Sequence, residues 1–179
     1  QCLEGLTLRK VIGLRQEKAQ RFTPMEVEPI FNQITMALGH AHRHTAHGDL
    51  KPENVIILRD VLKLRDCAIG GAVDSARFVD AQKGAGCEAY LAPEVISGQA
   101  PDQSADIFAL GAILYELVAG RKLVAGGPPI SEILGEPREA TDQGLDPIVA
   151  RATAASPGDR YGTIEAFAEA FSTYIDGRE

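Results

Sequence analysis

The most informative stretch of the chain is His47-Gly48-Asp49-Leu50-Lys51-Pro52-Glu53-Asn54. Its polar side chains, together with a glycine and a proline, predict a loop rather than a helix or a strand. Before it, apolar residues recur at spacings of three and four between Val27 and Ala41, which predicts a buried helix face. After it, the β-rich pieces 55–58 and 61–64 predict a small hairpin. The octapeptide is therefore expected to join a helix to a hairpin.

This loop resembles the catalytic loop of eukaryotic-type protein kinases, whose pattern is H-R-D-L-x-x-x-N. Every fixed position of that pattern is matched except the arginine, which is Gly48 here. The resemblance implies that Asp49 accepts the proton of a substrate hydroxyl and that Lys51 lies beside the transferred phosphate. It also implies that Asn54 is a Mg²⁺ ligand. The alternative is a helix-to-hairpin loop with a chance aspartate and asparagine.

The resemblance also implies a nucleotide site. Asp66-Cys67-Ala68 stands in the place of the D-F-G motif, so that Asp66 would join Asn54 as a metal ligand. Ile56 would form the floor under the adenine, although it can equally be an ordinary core isoleucine. Glu53 is assigned to the same cofactor site. The cofactors implied are ATP and Mg²⁺.

Three further motifs follow in the order that the family has. Ala92-Pro93-Glu94 closes an activation segment that spans 66–94, a stretch rich in glycine and alanine that is expected to be a long functional loop or disordered. Asp106 opens a helix expected at 106–119 and would accept hydrogen bonds from the catalytic-loop backbone. Arg160 would form a buried ion pair with Glu94.

The resemblance runs from about Leu3 to Tyr174 and implies a mainly α fold, the C-terminal lobe of a protein kinase. In that lobe a helical bundle carries a small β-hairpin with the catalytic loop. Residues 1–179 are assigned to this lobe alone, without the N-terminal lobe that holds the glycine-rich loop and the strand lysine. Because phosphoryl transfer depends on positioning and electrostatics, this fragment is expected to be inactive by itself. Since the N-terminal lobe would cover the upper face of this lobe, Ile56, Cys67 and the start of the chain near Leu3 are expected at an uncovered, open edge.

Several positions depart from the family pattern. Gly48 cannot receive an activation-loop phosphate as an arginine would. Cys67 is smaller than the usual phenylalanine, and Ala68 restricts the backbone where glycine permits a positive φ. Arg65 directly precedes Asp66, and it either places a cation near the expected adenine site, which is unusual for the family, or points outward to solvent or to an acidic neighbour. Cys87 replaces a threonine that often bridges the catalytic aspartate and lysine.

Two functions are consistent with these motifs. The first is a serine/threonine protein kinase, a specificity implied by Lys51-Pro52-Glu53-Asn54, with a protein as substrate. The second is a pseudokinase that serves as a scaffold with weak or no nucleotide binding. The alanine- and glycine-rich composition favours a bacterial origin. The sequence that precedes Gln1 is expected to discriminate between the two functions.

The composition excludes other classes of partner. The net charge of -7 without a basic run argues against nucleic acid and acidic membranes. No apolar stretch approaches the roughly 18–20 residues of a membrane span, so no membrane contact is expected from this segment. Three cysteines without C-x-x-C spacing are expected to be reduced thiols of a cytoplasmic protein rather than a disulfide framework or a zinc site.

Overall fold

The structure is a computed structural model that describes residues 5–59, 61–135 and 144–178. These residues form a small sheet and a set of helices around it. The strands are β1 (Leu6–Thr7), β2 (Val55–Ile57) and β3 (Leu62–Leu64). The helices are α1 (Leu8–Glu17), α2 (Pro24–Ala41), α3 (Ile69–Ala72), α4 (Ser75–Gly84), α5 (Pro93–Ile96), α6 (Gln103–Ala119), α7 (Ile130–Leu134), α8 (Leu145–Ala152) and α9 (Ile164–Asp176). The expected mainly α class is confirmed.

The hairpin expected at 55–64 is present as β2 and β3. The two strands pair antiparallel, with Val55 opposite Leu64. A third strand, β1, precedes them in the chain. Leu6 and Thr7 pair antiparallel with the other edge of β2. Helix α1 then begins at Leu8, because the Thr7 side chain accepts a hydrogen bond from the Lys10 amide at 3.1 Å and so caps it. Leu3, from which the resemblance runs, lies outside the described residues.

Helix α2 begins with a capping box and a proline. The Thr23 hydroxyl accepts from the Glu26 amide and the Glu26 carboxylate accepts from the Thr23 amide, so both halves of a capping box are formed. Pro24 occupies the first helical turn, where its missing N–H leaves no hydrogen bond unmade. The apolar face of α2 packs on α9, with the rings of Phe31 and Phe167 edge to face at 5.0 Å. This contact fixes the helix that leads into the catalytic loop.

Helix α6 is the centre of the core. All of its residues from Ala105 to Ala119 are buried, including the two carboxylates Asp106 and Glu116. The helix was expected at 106–119 and begins three residues earlier, because the Asp102 side chain accepts from the Ala105 amide at 3.0 Å. It ends at Gly120, whose φ of 73° is the left-handed conformation of a helix C-terminus. A helix buried on all sides places its polar groups where other elements must pair with them.

The segment 66–94 differs from the expectation of a loop or disorder, because it contains α3, α4 and the first residues of α5. Helix α4 begins at an N-cap, Asp74, whose carboxylate accepts from the Arg77 amide at 3.1 Å. Phe78 and Val79 of α4 are buried in a second apolar cluster beside α5 and α6. Within the described residues, no helix is both long and apolar enough to cross a membrane.

Candidate active site

The backbone of the catalytic loop is held by one buried carboxylate of α6. Asp106, which is 1% exposed, accepts hydrogen bonds from the backbone N–H groups of His47 at 2.7 Å and Gly48 at 2.8 Å. Its Oδ2 also lies 2.9 Å from Nε2 of His42. The expected role of Asp106 is thereby confirmed. These two backbone donors of the loop are therefore satisfied, and they fix the position of Asp49, the next residue.

Asp49, Lys51 and Asn54 lie within hydrogen-bond distance of one another. Lys51 Nζ donates to both carboxylate oxygens of Asp49 at 2.9 Å. Asn54 Nδ2 donates to Asp49 Oδ2 at 2.9 Å and to its backbone oxygen at 2.8 Å. Asn54 lies in the short 3-10 turn Pro52–Asn54, which brings a residue five positions along the chain back to Asp49. The three expected catalytic side chains therefore form one hydrogen-bonded group, with Asp49 at its centre.

A fourth side chain, Gln82 of α4, joins this group and was not found from the sequence. Gln82 Nε2 donates to Asp49 Oδ1 at 2.9 Å, and Gln82 Oε1 accepts from Lys51 Nζ at 2.8 Å. Only 6% of the residue is exposed. The signal that could have found it is helical spacing, because Phe78, Val79 and Gln82 recur at three and four and so share one face of α4.

The two expected Mg²⁺ ligands, Asn54 and Asp66, are linked through Arg65. Arg65 Nε donates to Asn54 Oδ1 at 3.2 Å and lies 3.3 Å from Asp66 Oδ2. The side chains of this pair are 53% exposed for Arg65 and 43% exposed for Asp66. Of the two interpretations of Arg65, the one in which it points outward to solvent or to an acidic neighbour agrees with the structure. A guanidinium thus lies between the oxygens on which a divalent cation would depend.

Glu53 belongs to a separate charged cluster on the other side of the 3-10 turn. Arg9 of α1 donates to Glu53 Oε1 at 2.6 Å and to Glu116 Oε1 at 2.7 Å. Tyr90 completes the cluster by accepting from Arg9 and donating to Glu116. Burial and the charge of Glu116 raise the pKa of Tyr90, so its hydroxyl stays protonated. Burial alone would lower the pKa of Arg9, but its hydrogen bonds to Glu116 and Glu53 raise it. The cluster ties α1, the catalytic loop and α6 together, and this gives Glu53 a partner within the protein.

The expected open edge is only partly open. Cys67 is an exposed free thiol and Leu6 is 50% exposed, in agreement with an uncovered surface. Ile56, however, was expected at that surface and is only 6% exposed, so this expectation is wrong. The reason is β1, because Thr7 pairs directly with Ile56 and Gly5 lies over the same strand. The assignment of Ile56 to the adenine site stays a prediction.

The expected buried ion pair joins α5 to the loop after α8. Arg160 donates from two nitrogens to the two oxygens of Glu94, each at 2.7 Å. The Arg160 side chain is fully buried, and its remaining donors bond to backbone oxygens that include Ala154 O at 2.8 Å. Burial alone would raise the pKa of Glu94, but the hydrogen bonds from Arg160 outweigh it and lower the pKa. The prediction of a Glu94–Arg160 pair is confirmed.

A comparison with known families supports the assignment that this geometry suggests. Residues 2–141 match the family model of the protein kinase domain. The chain belongs to the protein kinase family. The match contains the catalytic loop, Asp66-Cys67-Ala68, Ala92-Pro93-Glu94 and Asp106, whereas Arg160 lies beyond its end.

Curated bacterial kinases are similar over nearly the whole chain. The probable serine/threonine-protein kinase PknB of Bifidobacterium longum is 31% identical over 190 residues, which cover 98% of this chain and 27% of that protein. The serine/threonine-protein kinase PrkC of Bacillus subtilis is 31% identical over 186 residues, which cover 97% of this chain and 28% of that protein. The expected relation to bacterial serine/threonine kinases is confirmed. The chain spans little more than a quarter of the length of these relatives.

Solved structures agree with the fold. The kinase domain of Mycobacterium tuberculosis PknI superimposes with a TM-score of 0.72 at 26% identity, covering 96% of this chain and 62% of that domain. A point mutant of the same domain gives a TM-score of 0.73 at 26% identity over 97% of this chain and 63% of that domain. Nearly all of this kinase chain therefore has a counterpart in a solved kinase domain, while more than a third of that domain has no counterpart here.

Two departures from the kinase pattern have structural consequences. Ala68 adopts a φ of 66°, the left-handed conformation that the usual glycine accepts without strain. Cys87 is 3% exposed, and its thiol donates to the Ala85 oxygen at 3.7 Å rather than bridging Asp49 and Lys51. Burial raises the pKa of this thiol. In this kinase the bridge between Asp49 and Lys51 is made by Gln82.

Proposed function

We propose that this chain is the helical lobe of a serine/threonine protein kinase that phosphorylates a protein substrate once an N-terminal lobe completes the nucleotide site. The observation that supports this most is the group formed by Asp49, Lys51 and Asn54, whose contacts are all 2.9 Å or shorter. A scaffold has no structural need for a lysine and an asparagine amide on one carboxylate. We propose a cytoplasmic location, because the described cysteines, Cys67 and Cys87, are free thiols.

In the proposed reaction Asp49 is the base. As the hydroxyl oxygen of a serine or threonine bonds to the γ-phosphorus of ATP, the bond from that phosphorus to the ADP oxygen breaks. The hydroxyl proton passes to a carboxylate oxygen of Asp49. Lys51 lies beside this carboxylate and would offset the negative charge of the transferred group. Asn54 keeps the carboxylate oriented through its amide.

Asn54 and Asp66 would hold Mg²⁺, which when bound neutralises charge on the phosphate oxygens. Their side-chain oxygens both approach Arg65 Nε, so they converge on one small region. Mg²⁺ in phosphoryl-transfer sites takes one or two carboxylates and completes its shell with phosphate and water oxygens, which fits this pair. Since Arg65 is half exposed, it can turn to solvent at little cost and leave both oxygens free.

Nucleotide binding by a longer chain tests this function. Calorimetric titration of ATP with Mg²⁺ into the chain extended upstream with its own N-terminal lobe should show binding that Asp66→Ala weakens by about tenfold or more, the factor given by about 1.4 kcal/mol. Asp176→Ala, at an exposed position at the end of α9, is the matched control and should leave binding unchanged. The 179-residue chain alone should bind far more weakly, because the contacts from the other lobe are missing. Equal affinity of the extended chain and its Asp66→Ala variant would contradict the proposal.

The second candidate function is a pseudokinase scaffold, and the position of Arg65 favours it. A guanidinium that bridges Asn54 and Asp66 supplies the positive charge that a metal would otherwise bring. On this interpretation the extended chain binds ATP with Mg²⁺ weakly, and Arg65→Ala strengthens binding by about tenfold or more. On the kinase interpretation the same substitution changes affinity by less than about threefold, because the exposed pair is worth only about 0–1 kcal/mol. Arg59→Ala, on the exposed turn between β2 and β3, is the control.

A further inference from the structure

All four histidines of the chain lie within eight consecutive residues, at His40, His42, His44 and His47. A short histidine-rich tract of this kind is typical of metal binding. The tract begins in the last turn of α2 and ends in the catalytic loop. The catalytic-loop motif accounts for His47 alone, so the other three histidines require a separate explanation.

The structure divides the four histidines into two buried and two exposed ones. His47 is fully buried, and its Nδ1 accepts a hydrogen bond from a backbone amide of the catalytic loop at 3.3 Å. The side chain of His42 is 8% exposed, and its Nε2 lies 2.9 Å from Asp106 Oδ2. His40 and His44 are exposed, and their rings face each other instead of bonding to other described side chains. The exposed pair is therefore available to a ligand from solvent.

The backbone keeps His40 and His44 one helical turn apart. Their ring centroids are 6.3 Å apart, and the ring planes are inclined at 71°. The helical path continues past the end of α2, because the amides of His44 and Thr45 both donate to Ala41 O at 2.9 Å. Two histidines four residues apart on one helix face can bind a single zinc ion, as in the H-E-x-x-H motif. The pair has this spacing.

The two rings can close on one ion without breaking another contact of their side chains. Zinc lies about 2.0–2.1 Å from each histidine nitrogen, so the two nitrogens must come within about 4 Å of each other. Exposed side chains change rotamer in picoseconds to nanoseconds, so the rings of His40 and His44 can turn towards each other. Closure therefore costs side-chain freedom but no packed contact.

The charges around the pair include two that attract a cation. His40 lies in the last turn of α2, where the unpaired carbonyl groups of a helix carry partial negative charge. A Cβ atom on Gly39 would lie 2.8 Å from Glu165 Oε1, so a carboxylate is next to the same turn. Arg43 brings the opposing charge, but it is exposed and can extend into solvent. The helix end and Glu165 thus offset Arg43.

We propose that His40 and His44 form a binding site for a late first-row divalent cation, represented by Zn²⁺. Imidazole is a ligand that suits zinc, copper and nickel. Among the described residues, no group of three or more histidine, cysteine or acidic side chains could hold a metal ion. The pair therefore supplies two ligands and water the others, which makes the site exchangeable, unlike a structural zinc site with four protein ligands.

A bound ion would join the last turn of α2 to the turn that leads into the catalytic loop. His44 precedes His47 by three residues, and His42, between the two ligands, contacts the carboxylate of Asp106 that holds the loop backbone. The ion would therefore stiffen the approach to the loop. The inference does not rest on the proposed function, because the two ligands take no part in the proposed reaction.

Calorimetric titration of Zn²⁺ into the 179-residue chain tests the site. Cys2→Ser and Cys67→Ser remove competing thiols, and an excess of Mg²⁺ occupies weak carboxylate sites. In this background His40→Gln and His44→Gln should each weaken Zn²⁺ binding by about tenfold or more, the factor given by about 1.4 kcal/mol. Arg43→Gln introduces the same residue between them and should leave binding as strong or stronger. Equal affinities in the background chain and in both histidine variants would overturn the proposal.

Hydrogen exchange of the Thr45 amide shows whether the ion acts at this turn, since that amide donates to Ala41 O. Zn²⁺ at 100 times its dissociation constant should slow the exchange by up to about 100-fold, because opening of the turn must release the ion. The double variant His40→Gln/His44→Gln should show no slowing. Equal slowing in the double variant would place the ion elsewhere, and unchanged exchange in the parent would show that no ion joins the two turns. Either result would overturn the site.

Discussion

Two of the arginine–carboxylate pairs in the described part of the chain, Arg160–Glu94 and Arg65–Asp66, differ in almost every physical respect. The Arg160–Glu94 pair is bidentate, with a fully buried arginine, and further donors of Arg160 bond to backbone oxygens. The Arg65–Asp66 pair has one contact at 3.3 Å and about half of each side chain exposed. The first joins α5 to the loop after α8 and belongs to the fold. The second lies at the edge proposed to bind the nucleotide, where a substitution would remove no core contact.

This difference explains where the chain follows the kinase pattern and where it departs from it. The buried pair and Asp106 could not change without leaving donors or charges unpaired in the core. Arg65, Cys67 and Ala68 lie at an exposed edge and could change at small cost to folding. The same edge is where nucleotide chemistry would occur, so retention of the fold and competence for catalysis are separate questions in this molecule.

The largest expected effect comes from breaking the buried pair. Glu94→Ala should lower the free energy of unfolding by about 3–5 kcal/mol, because it leaves the buried Arg160 guanidinium without its counter-charge. Urea denaturation followed by circular dichroism measures this directly. Glu88→Ala, at an exposed position in the same segment, is the control and should change stability by less than about 0.5 kcal/mol. A Glu94→Ala protein as stable as its parent would contradict the account of the buried pair.

A smaller loss of unfolding free energy is expected from Asp106→Asn. The side chain keeps its size, but an amide nitrogen now faces one of the backbone N–H groups of His47 or Gly48, so one buried donor is left unpaired. The expected loss is about 1–3 kcal/mol in the same denaturation experiment. Hydrogen exchange of the two amides gives a local measurement, and unchanged protection of both would argue against Asp106 as their acceptor.

The buried pair should also make stability depend on pH. The pKa of Glu94 is lower in the folded state than its usual value of 4.5, because Arg160 outweighs burial. The contribution of the ionised Glu94 to stability is therefore complete above 4.5, the pKa of Glu94 in the unfolded chain. It is lost as the pH falls through 4.5 and then through the lower pKa of the folded state. The loss of stability on protonation should be smaller than that caused by Glu94→Ala, since a protonated carboxyl still accepts hydrogen bonds. Glu94→Gln should have a flatter stability profile than the parent below about pH 5, and an identical profile would show that Glu94 does not contribute.

At the exposed edge, Ala68→Gly should stabilise the protein. Ala68 has a φ of 66°, which costs a non-glycine residue roughly 1–2 kcal/mol, and the entropy of glycine offsets part of the gain. The net gain in unfolding free energy should be about 0.5–1 kcal/mol. Ala81→Gly, at an exposed position inside α4, is the opposite control and should destabilise by a similar amount. Two substitutions with the same sign of effect would contradict the assignment of strain to Ala68.

The smallest effect on stability is expected from breaking the exposed Arg65–Asp66 pair. Asp66→Ala should change the free energy of unfolding by no more than about 0.5–1 kcal/mol, because exposed ion pairs contribute little. The same urea denaturation measures it. A loss as large as that of Glu94→Ala would mean that the two arginine pairs are equivalent, and the contrast between them would fail.

The sequence predicted the site residues that lie close together in the chain or belong to a motif of the family. Asp49, Lys51 and Asn54 lie within six consecutive residues, and Glu94, Asp106 and Arg160 each stand in a recognisable motif. Gln82 was missed because its contact with Asp49 joins residues 33 apart and depends on how α4 docks. The Arg9–Glu116 contact, across 107 residues, was missed for the same reason. The burial of Ile56 was missed because a two-residue strand carries no periodic signal.

The most direct test of the account is phosphoryl transfer from radiolabelled ATP to a serine/threonine protein by the chain extended upstream with its N-terminal lobe, compared with its Asp49→Asn variant. The asparagine keeps the shape of the side chain but cannot take the hydroxyl proton, so the rate should fall by about 10²–10⁴-fold. Asp176→Asn, at an exposed position at the end of α9, should leave the rate unchanged. Transfer by Asp49→Asn at the rate of the parent chain would contradict the central claim that Asp49 is the catalytic base.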